Sequence, residues 1–225
     1  MMRRTNIVLM KSCTTVLLFI AACISAYPQI AVTADPVGAR PLTGESYLDV
    51  EGSPFLFSEW RKGAVTLEDG TTYSNLMLMY DQVSDQLIFK NTKGQTQIFL
   101  KPVKAFTIDG APGDSLIFQT GYPPKQKAFY QVLVAGNTSL LKKETKVLMD
   151  EKEYGSARTV RHIVPSIGYF IVRNGQLKSV KLQRKSILAA FGDRHDDIER
   201  YIADRRLRLG EEASLVELAL FYNTF

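Results

Sequence analysis

Tyr169-Phe170-Ile171-Val172-Arg173-Asn174-Gly175-Gln176-Leu177-Lys178-Ser179-Val180-Lys181-Leu182 is the stretch that decides the fold class. Two β-leaning runs flank Asn-Gly, a pair that tolerates the positive φ of a two-residue hairpin turn. With that turn as the pivot, Tyr169 faces Val180, Ile167 faces Leu182, and Ile171 lies opposite Lys178. Side chains alternate across a strand, so Ile167, Tyr169, Ile171, Val180 and Leu182 gather on one face, which is expected to be buried. Phe170, Val172 and Leu177 occupy the other face, so that face is not simply solvated.

Upstream the same grammar repeats. Ala64 to Glu68 and Thr71 to Tyr80 flank the turn pair Asp69-Gly70. Leu76-Met77-Leu78-Met79 is a continuous apolar run, as in a strand covered on both sides. Gln86 to Lys90 and Thr96 to Lys101 flank Asn91-Thr92-Lys93-Gly94. Val103 to Ile108, Ser115 to Gln119, Phe129 to Ala135 and Ser139 to Met149 are further strands. Short turns and no intervening helices imply antiparallel pairing and argue against a doubly wound fold. The expectation is a mainly β (α+β) domain: a curved or partly closed antiparallel meander of about seven to nine strands.

Downstream the period changes to helical. Ile187, Leu188 and Phe191 fit a short helix stopped at Gly192. Asp193 is placed to cap the next helix, with Ile198, Tyr201 and Ile202 on its apolar face. A last helix opens at Gly210-Glu211-Glu212 and carries Leu215, Leu218, Ala219 and Tyr222, thickened by Val216, Leu220 and Phe221. Two to three C-terminal helices over residues 184–225 are therefore expected to pack on the sheet.

The amino-terminal end reads as an export leader over residues 1–26. Arg3, Arg4 and Lys11 precede the apolar run Val16 to Ala22, which is too short to span a bilayer comfortably. Cutting after Ala26 would remove both cysteines, Cys13 and Cys23, and with them any disulfide, thiolate metal site or cysteine nucleophile. Ile20-Ala21-Ala22-Cys23 offers a second outcome, a lipobox in which Cys23 carries an acyl anchor. Residues 27–47 hold three prolines and few large apolar side chains, and read as a flexible tether before a single domain over residues 48–225. Of the 28 basic and 23 acidic residues, three basic ones lie in the leader, leaving a net +2. That balance gives no electrostatic case for nucleic acid. Lys178 to Lys185 alternates charge with apolar residues and reads as a solvated strand face running into a helix start.

Gly52-Ser53-Pro54-Phe55-Leu56-Phe57-Ser58-Glu59-Trp60, then Gly63-Ala64-Val65-Thr66-Leu67 and Asp69-Gly70, resemble a group of exported Gram-negative bacterial proteins of unknown function. Tyr73, Tyr80-Asp81, Ile198-Glu199-Arg200-Tyr201-Ile202 and the closing Tyr222-Asn223 extend the likeness. The resemblance implies export and a β-meander with C-terminal helices, and carries no activity, cofactor or site.

Catalytic chemistry finds little to stand on. His162 and His195 are the two histidines and lie far apart. Asp193-Arg194-His195-Asp196-Asp197 is read as helix-start chemistry rather than a metal site, and no metal or cofactor is expected. No Gly-x-Ser-x-Gly elbow occurs, and Gly155-Ser156 with His162 is a pair of common residues. Asp109 to Asp114 lacks the oxygen spacing of a calcium loop. No phosphate-binding or dinucleotide fingerprint is present. Aromatic residues are plentiful, and Trp60 and Tyr122, beside charged residues and Pro123-Pro124, are the candidate exposed binding contacts. Asp114-Ser115-Leu116 matches a short bacterial O-glycosylation acceptor at Ser115. The closing Phe225 follows a helical pattern, not the lipid-facing band of a membrane barrel.

The reading that follows is a non-enzymatic cell-envelope or periplasmic protein that binds another protein. The alternatives are a binder of a small lipid or glycan in a curved sheet, and a hydrolase with an unfamiliar site. A filled interior with an exposed apolar patch, an apolar cavity, or a histidine–carboxylate cleft would favour these three in turn.

Overall fold

The computed structural model describes residues 31–32, 40–41, 47, 50–152 and 159–225. The leader, Cys23 and the Gly155-Ser156 loop lie outside these residues. Strands are β1 (Ala31–Val32), β2 (Arg40–Pro41), β3 (Val50–Glu51), β4 (Arg61–Leu67), β5 (Thr72–Asp81), β6 (Gln86–Lys90) and β7 (Thr96–Ile98). They continue as β8 (Val103–Asp109), β9 (Ser115–Gln119), β10 (Tyr130–Val134), β11 (Thr138–Lys152), β12 (Thr159–Arg173) and β13 (Gln176–Val180). Helices α1 (Arg184–Ala190), α2 (His195–Arg205) and α3 (Glu212–Tyr222) follow. None of the described helices is long and apolar enough to cross a membrane.

The strands form one mixed sheet in the order β13-β12-β11-β10-β9-β8-β4-β5-β6-β7-β2. Every neighbour on that path is antiparallel, while β1 lies parallel to β5 and β3 parallel to β12. Within the segment read as a tether, Ala31–Val32 and Arg40–Pro41 thus lie along β5 and β7. From β4 onward the meander breaks once. After β7 the chain crosses over, and β8 pairs with β4. Pro102 has no N–H to extend β7, and its carbonyl instead accepts the Glu68 N–H at 3.0 Å, steering the chain to the free edge of β4. The sheet stays open but curls, so that the Lys146 N–H of β11 donates to the Gln82 carbonyl after β5, at 3.1 Å.

The deciding hairpin has the expected register: Tyr169 opposes Val180 and Ile171 opposes Lys178. Asn174 and Gly175 both take positive φ, at 50° and 71°. Gly63 answers a different need: a Cβ there would lie 2.1 Å from the Thr107 carbonyl oxygen of β8, at the point where β4 bulges against β5.

Two hydrophobic cores result. One gathers Tyr80, Phe89, Phe106, Phe118 and Phe129 with aliphatic neighbours from β4 to β9. Phe106 and Phe118 stack with centroids 4.6 Å apart, and Phe129 meets Phe106 edge-on at 5.0 Å. The other lies between the β10–β13 face and the helices, with Leu140, Ile171, Val180, Ile187, Phe191, Ile198, Leu215 and Leu218 buried. Ile167 departs from expectation: it continues the line of Tyr169 and Ile171 but is 52% exposed. The helices cover the face at Tyr169, where Glu212 of α3 accepts the Tyr169 hydroxyl at 2.8 Å and pairs with Lys142 at 2.8 Å. Ile167 lies one step beyond that cover.

Helix ends also differ in detail. Helix α1 ends at Ala190 and Gly192 opens a short 3-10 turn, so the glycine does not act as a left-handed stop. Asp193 makes no cap for α2. Its carboxylate instead accepts hydrogen bonds from Arg173 of β12 and from the Tyr222 hydroxyl of α3. Asn223 clamps the other side: its Oδ1 accepts the Thr138 N–H at 2.9 Å and its Nδ2 donates to the Thr138 carbonyl at 2.8 Å.

Candidate ligand-binding cleft

Directly opposed residues of an antiparallel pair share a face. On β11–β12 this sets Leu141 with Phe170, Lys143 with Gly168, Thr145 with Ser166, Val147 with Val164 and Met149 with His162. These pairs lie on the face away from Tyr169 and Ile171. The loop after β9, with Pro124, Lys125 and Ala128, lies over the near end of the row. Between loop and strands opens a cleft of about 380 Å³. Its walls are Tyr130, Phe170, Leu177 and Pro124, with Gly168 in the floor and the cations Lys143 and Lys125 at the sides. Its volume falls in the range of small-molecule sites.

Each wall has a local cause. Tyr130 starts β10, and its ring meets Phe170 edge-on at 5.4 Å. Gly168 leaves the space a side chain would take: a Cβ there would come within 3.2 Å of the Phe170 ring. Lys143 reaches under the loop, where its ammonium pairs with Asp85 at 2.7 Å and contacts the Tyr80 hydroxyl at 3.2 Å. Burial pushes the Lys143 ammonium below its ordinary range, the Asp85 carboxylate opposes that shift, and the Lys125 charge adds to it. Tyr80 donates to Asp85, and burial followed by the Asp85 charge drives its phenol far up, so it stays protonated. Asp85 serves Lys143 from behind, and no carboxylate lines the cleft itself.

Past Thr145 and Ser166 the two strands run on together as a ribbon, joined at Arg161 and His162 by β3. Val147, Met149 and Val164 stand 51%, 54% and 41% exposed on the same face as the cleft, so its apolar surface runs on along the ribbon. Pro165 opposes Lys146, whose N–H turns outward to Gln82, so the missing proline donor costs no rung at that position.

Trp60 and Tyr122 are both partly buried. The Lys90 ammonium sits 4.7 Å from the Trp60 ring centroid, away from the cleft lining. Tyr122 belongs to the loop over the cleft and stacks edge-on against Tyr130 at 5.6 Å, with its hydroxyl donating to Gln119 at 3.0 Å. Ser115 is exposed and opens β9 opposite Asp109. His162 stands on the open ribbon between Glu51 at 3.3 Å and Glu151 at 3.5 Å. His195 is exposed beside Asp196, at the start of α2. Among the described residues no three His, Cys, Asp or Glu side chains are placed to hold a metal ion. Sequence reasoning missed Lys143, Gly168 and Asp85. The one available signal was Phe170, Val172 and Leu177 on the hairpin's second face, an apolar surface without an assigned cover. No family model, curated protein or solved structure matches this chain.

Proposed function

We propose that this is a non-enzymatic binding protein of the bacterial cell envelope whose cleft between β10–β13 and the Pro124 loop holds a small ligand with an apolar body. The observation that carries it is the lining: aromatic and aliphatic walls, two lysines and no carboxylate. Such a surface holds a ligand by burial and orients it by a few polar groups. Neither histidine faces the cleft with a nucleophile beside it, so the reading assigns no reaction. Export and the kinship to exported Gram-negative proteins belong to the same proposal and rest on the leader and on residues 52–70.

The test is binding of an anilinonaphthalene sulfonate, whose fluorescence rises in apolar surroundings. Gly168→Val fills the hollow and should weaken the probe about tenfold or more, roughly the loss of one well-buried contact set. The protein should stay folded, since valine suits a strand and only the Phe170 ring must shift by a few tenths of an ångström. Unchanged probe affinity in a folded Gly168→Val protein would exclude the cleft.

A second reading is favoured by the exposed ribbon residues: the same face receives a second copy of the chain. Lys125 stands at one end of the face and Glu51 and Glu151 at the other, so a two-fold antiparallel arrangement sets opposite charges together. Sedimentation would then report a dimer that Val164→Asp dissociates.

A further inference from the structure

We infer that the ligand of this cleft is a single-chain fatty carboxylate, with its head group at Lys125 and Lys143 and its tail lying along the β11–β12 ribbon over Val164 and Met149. The inference rests on the cleft being a ligand site and adds what the ligand is. Three observations carry it.

The head site is cationic on the ligand's side. Lys125 and Lys143 line the cleft with no acid among the lining residues, while Asp85 approaches Lys143 from the side of Tyr80. A carboxylate entering there meets the Lys125 ammonium and the cleft side of the Lys143 ammonium, whose other side Asp85 holds at 2.7 Å, and Thr145 and Ser166 next to them supply hydroxyls. A cationic amphiphile would meet repulsion at the same place.

The tail path is continuous and open. Gly168 leaves the floor bare beside Phe170, and from there the face carries Thr145 with Ser166, then Val147 with Val164, then Met149. Six residue steps from Lys143 to Met149 span about 20 Å at the rise of a strand. A short acid would fill the cleft alone, whereas a chain of palmitate or oleate length reaches the end of the stripe.

The ribbon's exposed apolar residues have no cover within the described chain. Val147, Met149 and Val164 are each more than 40% exposed in a row on β11 and β12. Isolated exposed apolar residues are ordinary, but a row contiguous with a cleft marks a binding surface. The described outer end of the ribbon does not suit bilayer insertion, because it carries the charged residues Asp150, Glu151, Lys152 and Arg161.

The experiment is calorimetric titration of the purified full chain with saturated carboxylates from eight to eighteen carbons, with hexadecanol and with hexadecyltrimethylammonium. Affinity should rise about two- to fourfold per added methylene until the stripe is covered. The alcohol and the cation should bind at least about tenfold more weakly than palmitate, the loss of one head-group ion pair. Lys125→Glu should weaken palmitate and leave hexadecanol unchanged. Val164→Asp, at an exposed position that leaves the core untouched, should abolish the gain beyond the shorter chains, with octanoate binding unaffected. A flat chain-length series, or no response to Val164→Asp, would overturn the tail path while the cleft survives through Gly168→Val and the naphthalene probe. Equal affinity for the cationic amphiphile would overturn the head site. Absence of binding by every amphiphile and by the probe would remove the cleft and this inference together. A dimer that dissociates with Val164→Asp and takes up no carboxylate would assign the stripe to a second copy, against the inference.

Discussion

The core between β4 and β9 covers itself, whereas the core under β10–β13 depends on helices. In the first, β5 carries Leu76, Leu78 and Tyr80, and the curling sheet folds β8 and β9 toward them, so that Phe106, Phe118 and Phe129 close against Tyr80. Large rings fill the curl, and edge-on and stacked contacts set their geometry. In the second, the strands contribute mainly aliphatic side chains together with Tyr169, and α1, α2 and α3 supply the other half. The difference teaches that this sheet closes its faces in two ways. Where β5, β8 and β9 bring rings together, these close on one another; where β10 to β13 bring mainly aliphatic residues, the helices supply the second layer.

Removing residues 211–225 is the largest test of that contrast. It takes away Leu215, Leu218 and Ala219, all fully buried, and the Asn223 clamp on Thr138. The truncated protein should aggregate, with exposed Leu140 and Ile171. A cooperative melt at the full-length temperature would mean that the second core stands without its helix.

Next in size are paired core truncations. Phe106→Ala should cost about 3–5 kcal/mol and Leu218→Ala about 2–5 kcal/mol. The two sites lie in separate clusters, so in denaturant titrations the double variant should lose the sum within about 0.5 kcal/mol. A coupling above about 1 kcal/mol would merge the two cores into one.

The hairpin turn feeds the helix-covered core through the register of Tyr169 and Ile171. Gly175→Val forces a β-branched residue to positive φ and should cost about 1–2 kcal/mol. An unchanged denaturation midpoint would contradict the observed turn.

The smallest expected effect is electrostatic and separates the two halves by pH. Asp69, in the turn between β4 and β5, is held at about 2 by the Lys101 ammonium and the Thr71 N–H. The Arg173 guanidinium, with the Tyr222 hydroxyl, holds Asp193 below the usual carboxylate range. Both carboxyls are lower in the folded state than in the unfolded chain. Their stabilisation is therefore complete above the ordinary carboxylate range and fades as pH falls toward the folded values. Asp69→Asn should flatten the melting-temperature profile slightly between about pH 4 and pH 2. Asp193→Asn should flatten it too and loosen α3 against β12. Identical acid limbs for wild type and both variants would remove these contacts from the stability of either half.

Much of the fold was legible because its signals are local. Asn174-Gly175 names its own turn, Leu76 to Met79 announces a doubly covered strand, and the apolar girth of α3 announces burial. The return of β8 to β4 was not legible, because nothing local distinguishes the two free edges a strand could join. The role of Asp193 was hidden for the same reason: a capping pattern and a long-range carboxylate look alike in sequence, and Arg173 and Tyr222 meet it only in space. The cleft is the extreme case. Lys143 and Gly168 are 25 positions apart and become neighbours through the long pairing of β11 with β12. The loop bearing Lys125 then comes to lie over them. The sequence by itself determined strands, turns and helices, since these follow from propensity and period over a few residues. Only the tertiary structure decided which apolar face was covered and which was left open. Burial is a property of what packs on a face, and that is supplied from elsewhere in the chain.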